Sequence, residues 1–349
     1  MADTFKFRID HHGSLIRPPE LLSLSPADDR RAVEDGRAVE DGRAVEDRRA
    51  VEDAAIAEAV RKQRKLSLTV VTDGEFRRRD IRSAVFDAVH GFRHADGERW
   101  VADGELKPHR SLVADDVAAV AAQTLIPAKA TLPSPAYLAA TTFEPGGAWR
   151  SARELGEALA QLINEEIRAV VARGVRLIQL DNHGYAPSLF AGPAGPLSLA
   201  DAIAVDALAV TLADKPSDVR IGLCPLTRVL GDLDVAAAEQ LFTGVPVDRW
   251  VLPYDTGAPA EEQLLRAVPG DRDVCLGIVS PLVAELEDVD TVMNRLDVAG
   301  AIRDLEDVAI SPSAGFSETA GHSAIGVEDQ WRKLTHVETF ARMCWGNEL

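Results

Sequence analysis

Short apolar runs alternate with longer amphipathic stretches along most of this chain, and that alternation restricts the fold more than any other feature. LTVVTD (Leu68 to Asp73), VRLIQLD (Val175 to Asp181), VRIGLC (Val219 to Cys224), RWVLPYD (Arg249 to Asp255), VCLGIVS (Val274 to Ser280) and VAIS (Val308 to Ser311) each read as a buried strand. Helical patterns separate them, the signature of parallel βα units. The clearest helix is predicted from Ala152 to about Arg173, with Ser151 and Glu154 as a capping box, Leu155, Leu159, Leu162 and Val170 as its apolar stripe and Gly174 as its stop. A first strand near His11 and another near Lys129 bring the count to about eight, enough to close an α/β (β/α)8 TIM barrel. At 349 residues the chain fits one such domain, 1–349, with decorations.

Two decorations stand out. The unit RAVED begins at Arg31, Arg37, Arg43 and Arg49, so residues 31–53 form a low-complexity insertion with a six-residue period. Six residues turn an α-helix by about 600°, which points Val33, Val39 and Val45 in different directions. A solvated helix or loose surface segment is the expectation. Residues 93–117 hold two Asp-Gly pairs and are expected to form a hairpin over the barrel mouth, with Asp-Gly at its turns.

Composition excludes several classes of function. A net charge of −18, with no basic stripe to oppose it, excludes nucleic acid as a partner. No apolar run approaches the ~20 residues of a membrane helix, and no apolar stretch leads the N-terminus as in a secretory signal. Cys224, Cys275 and Cys344 make neither an even disulfide framework nor a CxxC pair, which suits a reducing cytoplasm. A homodimer is compatible with the sequence, although no heptad pattern specifies one.

In a barrel of this kind the C-terminal ends of the strands face one cavity. Those ends carry His11, His12 and Ser14, then Asp73 and Glu75, Lys129 and Thr131, Asp181, Asn182 and His183, Cys224, Tyr254 and Asp255, Ser280, and finally Ser311 and Ser313. His183 and His12 are candidate acid/base groups, with Asp181 two residues before His183 to orient it. Cys224 is a candidate nucleophile at a strand end, or a small buried hydrophobe. Tyr254 and Asp255 are expected on the cavity wall. A metal site drawn from His11, His12, His183, Cys224 and Asp255 would match no compact ligand spacing.

Several of these segments carry a resemblance. FRIDHHGSLIRPPELL at the N-terminus, TDGEFRR at Thr72 to Arg78, LIQLD at Leu177 to Asp181, LGIVS at Leu276 to Ser280 and SPSAGF at Ser311 to Phe316 occur in an order and spacing that resemble the cobalamin-independent methionine synthases of the short, single-barrel type. The resemblance implies a TIM barrel with methyltransferase-like chemistry. It also implies that Gly13, Ser14 and Glu75 help bind an amino-acid substrate and that Asp181 grips the substrate's amino group. In that family zinc is held by a His-x-Cys, a Glu and a Cys. The matching segments IGLC, LPYDT and SPSAGF place Gly222, Cys224, Pro253 and Ala314 there. One thiolate does not make the closed site that zinc adopts, so no cofactor is expected and zinc is disfavoured. Whether a folate donor is used stays open, because the chain has no room for a second barrel.

Three functions fit this pattern. One is a barrel enzyme that has lost the zinc site and acts on a small polar or amino-acid-like substrate, by alkyl or one-carbon transfer to a non-thiol acceptor or by acid/base cleavage or hydration. Another is a zinc-dependent S-methyltransferase with an atypical ligand set. The last is a non-catalytic barrel that binds a small molecule.

Overall fold

The fold was analysed in a computed structural model, which describes residues 7–23, 42–95, 99–193 and 195–346. Six parallel strands form one sheet in sequential order: β3 (Lys129–Pro133), β4 (Leu177–Asp181), β5 (Arg220–Cys224), β6 (Arg249–Pro253), β7 (Asp273–Val279) and β8 (Val308–Pro312). Each is followed by helix. Residues such as Ile178, Leu180, Ile221, Leu223, Trp250, Leu252, Leu276 and Ile310 join the main apolar core, a cluster that runs from Ile9 to Ala341. The opposite face carries a smaller apolar patch of Cys224, Val251, Cys275 and Ala309, together with buried Lys129, Gln179, Asp181 and Arg249. Strands buried on both faces explain why these segments read as continuous apolar runs.

The first two expected strands are reduced to single parallel bridges, Ile9 to Ile310 and Val71 to Ala128, one at each edge of the sheet. Side chains replace the missing ladder. Thr69 Oγ1 accepts from the Ile9 amide at 2.8 Å and donates to the Ile9 carbonyl at 3.0 Å. The buried Gln63 amide does the same for Thr72, pairing both its N–H and its carbonyl at 2.9 Å. With their backbone groups satisfied in this way, the two segments need no continuous strand pairing.

The predicted long helix is observed at Ala152–Ala172, with Ser151 Oγ accepting from the Glu154 amide. Glu154 reaches back to the Arg150 amide at 3.0 Å rather than to that of Ser151. Of the RAVED insertion, residues 31–41 lie outside the described residues, and the remainder opens the helix Gly42–Lys65. Its last unit is not free of the core. Val51 packs against the apolar cluster, and Glu52 and Asp53 both pair with Arg77 in the loop that carries Glu75.

The hairpin exists, with different bounds and a different position. β1 (Val89–His94) pairs antiparallel with β2 (Trp100–Pro108), and Ala114–Ala121 is helix. Asp103 and Gly104 lie inside β2 rather than at a turn, while Asp96 and Gly97 lie outside the described residues. Opposite them Gly91 adopts a φ of 103° at a bulge, where a β-carbon would sit 2.5 Å from the Glu105 carbonyl oxygen. The hairpin packs on the helices Pro135–Thr142 and Ala152–Ala172, and the cavity described below is lined by none of its residues. No helix among the described residues is long and apolar enough to cross a membrane.

Two buried contacts hold the strand ends in place. Asp206, on the helix Leu199–Val210, accepts from Ser134 Oγ at 2.7 Å, the Ala136 amide at 3.0 Å, and Asn182 Nδ2 and the Tyr185 hydroxyl at 2.9 Å each. It thereby ties the loops after β3 and β4 together. Gly277 on β7 lies so close to the chain leaving β8 that a β-carbon there would meet Ser313 Cα at 2.4 Å. Asp206→Ala strands three buried side-chain donors, and a loss of about 3–5 kcal/mol is expected in urea unfolding. Gly277→Ala should cost about 1–3 kcal/mol by the same measurement, since backbone must move to admit the methyl group.

Candidate active site

A small cavity lies at the C-terminal ends of the strands, lined by His12, Ser14, Glu75, Ile81, Asp181, His183, Gly315 and Glu318. Its volume is about 30 Å³, and it is partly open to solvent. Five of the predicted site residues therefore share one cavity: His12, Ser14, Glu75, Asp181 and His183. The sixth and seventh, Gly13 and Cys224, form its immediate support.

Glu75 is held in an uncommon backbone conformation. Its φ is 59°, following Gly74 at 70°, and a left-handed non-glycine residue costs of order 1–3 kcal/mol. The loop over-determines it. Asp73 accepts from the Glu75 amide at 2.8 Å, and the buried Arg17 donates to the carbonyls of Glu75 and Arg78 at 2.8 and 2.6 Å. The Glu75 carboxylate accepts from Thr131 Oγ1 at 2.8 Å, with Arg78 Nη1 at 3.8 Å. Gly13 makes room for this carboxylate: its φ is 140°, and a β-carbon would lie 2.6 Å from Glu75 Oε1. Gly315 does the same for Ser14, whose Oγ would be 2.1 Å from a β-carbon there.

Asp181 ends β4 in register with Cys224, the last residue of β5. Its Oδ1 accepts from Gln179 Nε2 at 2.8 Å. Burial, reinforced by the nearby Glu75, pushes the Asp181 carboxyl up to about 8. The same burial, with Asp181 adding to it, raises the Cys224 thiol well above its ordinary range. That thiol donates to the Leu226 carbonyl at 3.4 Å and is held protonated, so a thiolate nucleophile is disfavoured there. His12 is pushed the other way, down to about 3, by burial and then by Lys129, so its imidazole is neutral. Its Nδ1 lies 3.9 Å from Cys224 Sγ, and its Nε2 has no hydrogen-bond partner among the described residues. Donor atoms of His12, Asp181 and Cys224 all lie within 4.8 Å of one another. His183 is half-buried at the rim, its ring 5.7 Å from that of Tyr137.

Beneath the cavity, Lys129 and Asp10 form a buried ion pair at 2.7 Å. Lys129 also donates to the His11 carbonyl and, at 3.0 Å, to Gln179 Oε1. Gln179 in turn donates to the His12 carbonyl at 3.1 Å and to Asp181.

Other predicted members lie elsewhere. Tyr254 does not line the cavity; it is buried in the main apolar core, where burial pushes its phenol up to about 12. Asp255 accepts from Ser313 Oγ at 2.8 Å and is likewise outside the cavity lining. Alternation past the end of β6 turns Tyr254 toward the helices. His11 turns away to Gln63 Oε1 at 2.9 Å, so neither it nor Asp255 joins His12 and Cys224. Gly222, Pro253 and Ala314 have no side-chain donor atoms, so these positions and Cys224 do not fit a zinc ion. Glu318, Ile81 and Gln179 were not singled out from the sequence. Glu318 comes from the irregular loop after β8, where no periodicity marks it, whereas Arg17 and Arg78 stood inside the quoted N-terminal and TDGEFRR motifs without a role.

No protein-family model matches the chain. It is 29% identical over 373 residues to the uncharacterized protein YxjH of Bacillus subtilis strain 168, covering 97% of this chain and 95% of that protein. YxjG of the same organism is 28% identical over 324 residues, covering 83% of this chain and 84% of that protein. A Listeria monocytogenes structure designated a vitamin-B12-independent methionine synthase superposes with a TM-score of 0.76 at 24% identity, covering 99% of this chain and 100% of that one. The B12-independent methionine synthase of Shewanella sp. W3-18-1, solved in complex with selenomethionine, gives 0.74 at 16% identity, with 97% of each chain covered. A Methanosarcina mazei methyltransferase gives 0.52 at 11% identity, over 97% of this chain and 95% of that one. The chain has the fold of the cobalamin-independent methionine synthases, as its ordered motifs anticipated.

Proposed function

We propose that this chain is a methyltransferase-type enzyme whose cavity takes a small, amino-bearing substrate and that it works by alkyl or one-carbon transfer to a non-thiol group. We further read the six strands and the two bridged edge segments as a (β/α)8 ring. The observation that carries the functional reading is that Glu75, Asp181 and Glu318, from three separate parts of the chain, line one cavity that no Lys or Arg lines. Three carboxyl groups around one small cavity, Glu75 and Asp181 buried and Glu318 exposed at its mouth, outnumber the single Arg78 guanidinium 3.8 Å from Glu75 and favour a cation, which an ammonium group supplies in a compact form. The selenomethionine bound by the Shewanella protein is an amino acid, and we carry that ligand chemistry to this cavity.

The chain's own residues suggest a division of labour. Glu75, fixed by Thr131 and Arg17, and Asp181, fixed by Gln179, receive the amino group. Ser14 offers a hydroxyl beside them. His12, neutral and weakly basic, is a lining group; His183, half-buried at the rim, is the proton acceptor we assign. No step is routed through an ion held at residues 222, 224, 253 and 314, whose side chains offer a single donor.

L-Methionine and L-selenomethionine are expected to bind the purified chain in isothermal titration calorimetry, while methylthiopropanoate, which lacks the amino group, should not. Glu75→Gln should weaken methionine about ten- to a hundredfold, the equivalent of about 1.5–3 kcal/mol for one charge-assisted hydrogen bond. His183→Ala should leave that affinity within a few-fold. Equal binding of methionine and its desamino analogue would overturn the reading.

A further inference from the structure

We infer that His12, Asp181 and Cys224 form a binding site for a divalent transition-metal ion of the zinc or cobalt(II) type, on a ligand set different from the Gly222, Cys224, Pro253 and Ala314 positions. The three residues come from different segments: His12 from the bridged N-terminal segment, Asp181 from the end of β4 and Cys224 from the end of β5. Strand register makes Asp181 and Cys224 neighbours, the Gln179 bond to the His12 carbonyl holds the His12 backbone beside them, and the imidazole Nδ1 lies 3.9 Å from Cys224 Sγ.

Two independent observations point to a ligand. One is the convergence of a nitrogen, an oxygen and a sulfur donor, all within 4.8 Å of one another and all on buried residues. A tetrahedral ion with bonds of about 2.0–2.3 Å spaces its ligands more closely, so side-chain shifts of the order of an ångström would complete the site. The other is the state of His12, which is only 7% exposed. Its Nε2 has no partner among the described residues, and its Nδ1 has only the Cys224 sulfur at 3.9 Å. A buried imidazole without a strong hydrogen bond calls for an explanation, and an ion is one of the few available. Asp181 has an oxygen to give, because Gln179 occupies only Oδ1.

The donor set also selects the metal. Imidazole, carboxylate and thiolate together suit zinc and its neighbours in the first transition row, whereas calcium and magnesium take oxygen ligands. Three protein ligands leave a fourth position open toward the cavity, the pattern of a catalytic rather than a structural ion. Site formation depends only on these side chains, so it stands whether or not the cavity binds an amino acid.

Metal analysis of chain purified without chelator and without a polyhistidine tag is expected to find about one zinc per chain. Cobalt(II) added to chelator-stripped chain should give a thiolate-to-metal band in the near ultraviolet and intense tetrahedral d–d bands. Cys224→Ser should abolish the near-ultraviolet band, and His12→Ala should lower affinity for zinc at least tenfold. Cys344→Ser, which removes a thiol elsewhere, should change neither. Circular dichroism of each variant checks that it is folded, and a double variant Cys275→Ser, Cys344→Ser should keep the full spectrum. A stripped chain that shows no thiolate band, or a band that survives Cys224→Ser, would overturn the inference. Methionine binding by a chain that takes up no metal would leave the reading of the cavity intact.

Discussion

The buried ion pair between Lys129 and Asp10 governs the geometry above it. Both side chains are almost fully removed from water, at 0% and 3% exposure, a situation that costs several kcal/mol per charge unless every hydrogen-bonding position is filled. Here each Lys129 donor is used, on Asp10, the His11 carbonyl and Gln179. The third bond fixes the Gln179 amide, whose N–H groups then set the His12 carbonyl and the Asp181 carboxyl. Arg249, 3.7 Å from the far oxygen of Asp10, adds a second buried cation on β6. The charge pair is thus the floor on which two of the cavity's lining residues, His12 and Asp181, stand. Removing Lys129 frees Gln179 to turn and leaves Asp10 with only Arg249 at 3.7 Å, while removing Asp10 takes away the buried counter-ion of Lys129.

The sheet was largely legible because its strands are buried on both faces, which makes each a continuous apolar run whose ends are visible. The two edge segments misled for a physical reason: Thr69 and Gln63 satisfy the backbone through side chains, and a sequence pattern does not distinguish a ladder from such a substitute. Asp103 and Gly104 misled in the same way, since a Gly-Gly approach across a bulge uses the same residues as a turn. In the site, His12, Ser14, Glu75, Asp181 and His183 were legible because strand ends must converge. Tyr254 and Asp255 failed that logic because β6 ends at Pro253, and alternation past its end sends Tyr254 into the apolar core. Glu318 lies on an irregular loop, where only the folded chain reveals its approach.

The chain departs from relaxed geometry at the cavity, as it also does at Ser67 and Ala191. Glu75 sits at positive φ, Gly13 and Gly315 are shaved to admit a carboxylate and a hydroxyl, and Arg17 is buried solely to hold carbonyls of one loop and Ser317 of another. Strain and buried charge of this kind stabilise nothing by themselves. They persist when surrounding structure over-determines them and when position is worth more than stability. The tail of the RAVED segment joins this scaffold, since Glu52 and Asp53 neutralise Arg77 two residues from Glu75. A low-complexity insertion therefore ends by bracing the cavity loop.

Electrostatics link the two ligands assigned to the cavity. Its lining contributes three carboxyl groups and no fixed positive charge; Arg17 is committed to backbone carbonyls, and Arg78 to Thr131 and, at 3.8 Å, to Glu75. Lys129 lies below, saturated by its own acceptors. With its carboxyl pushed up to about 8, Asp181 is favoured in its ionised form by a cation arriving beside it, and that cation can be an ammonium group, a metal ion or both. Asp181 stands at the junction, with Glu75 on the side of the substrate and Cys224 beside it in register. A carboxylate has about four lone-pair positions, of which Gln179 takes one, so the two roles do not compete for the same electrons. The register of β4 against β5 is what places these groups together. Because side chains alternate with a period of two, a one-residue slip would turn either Asp181 or Cys224 to the other face and dissolve the cluster.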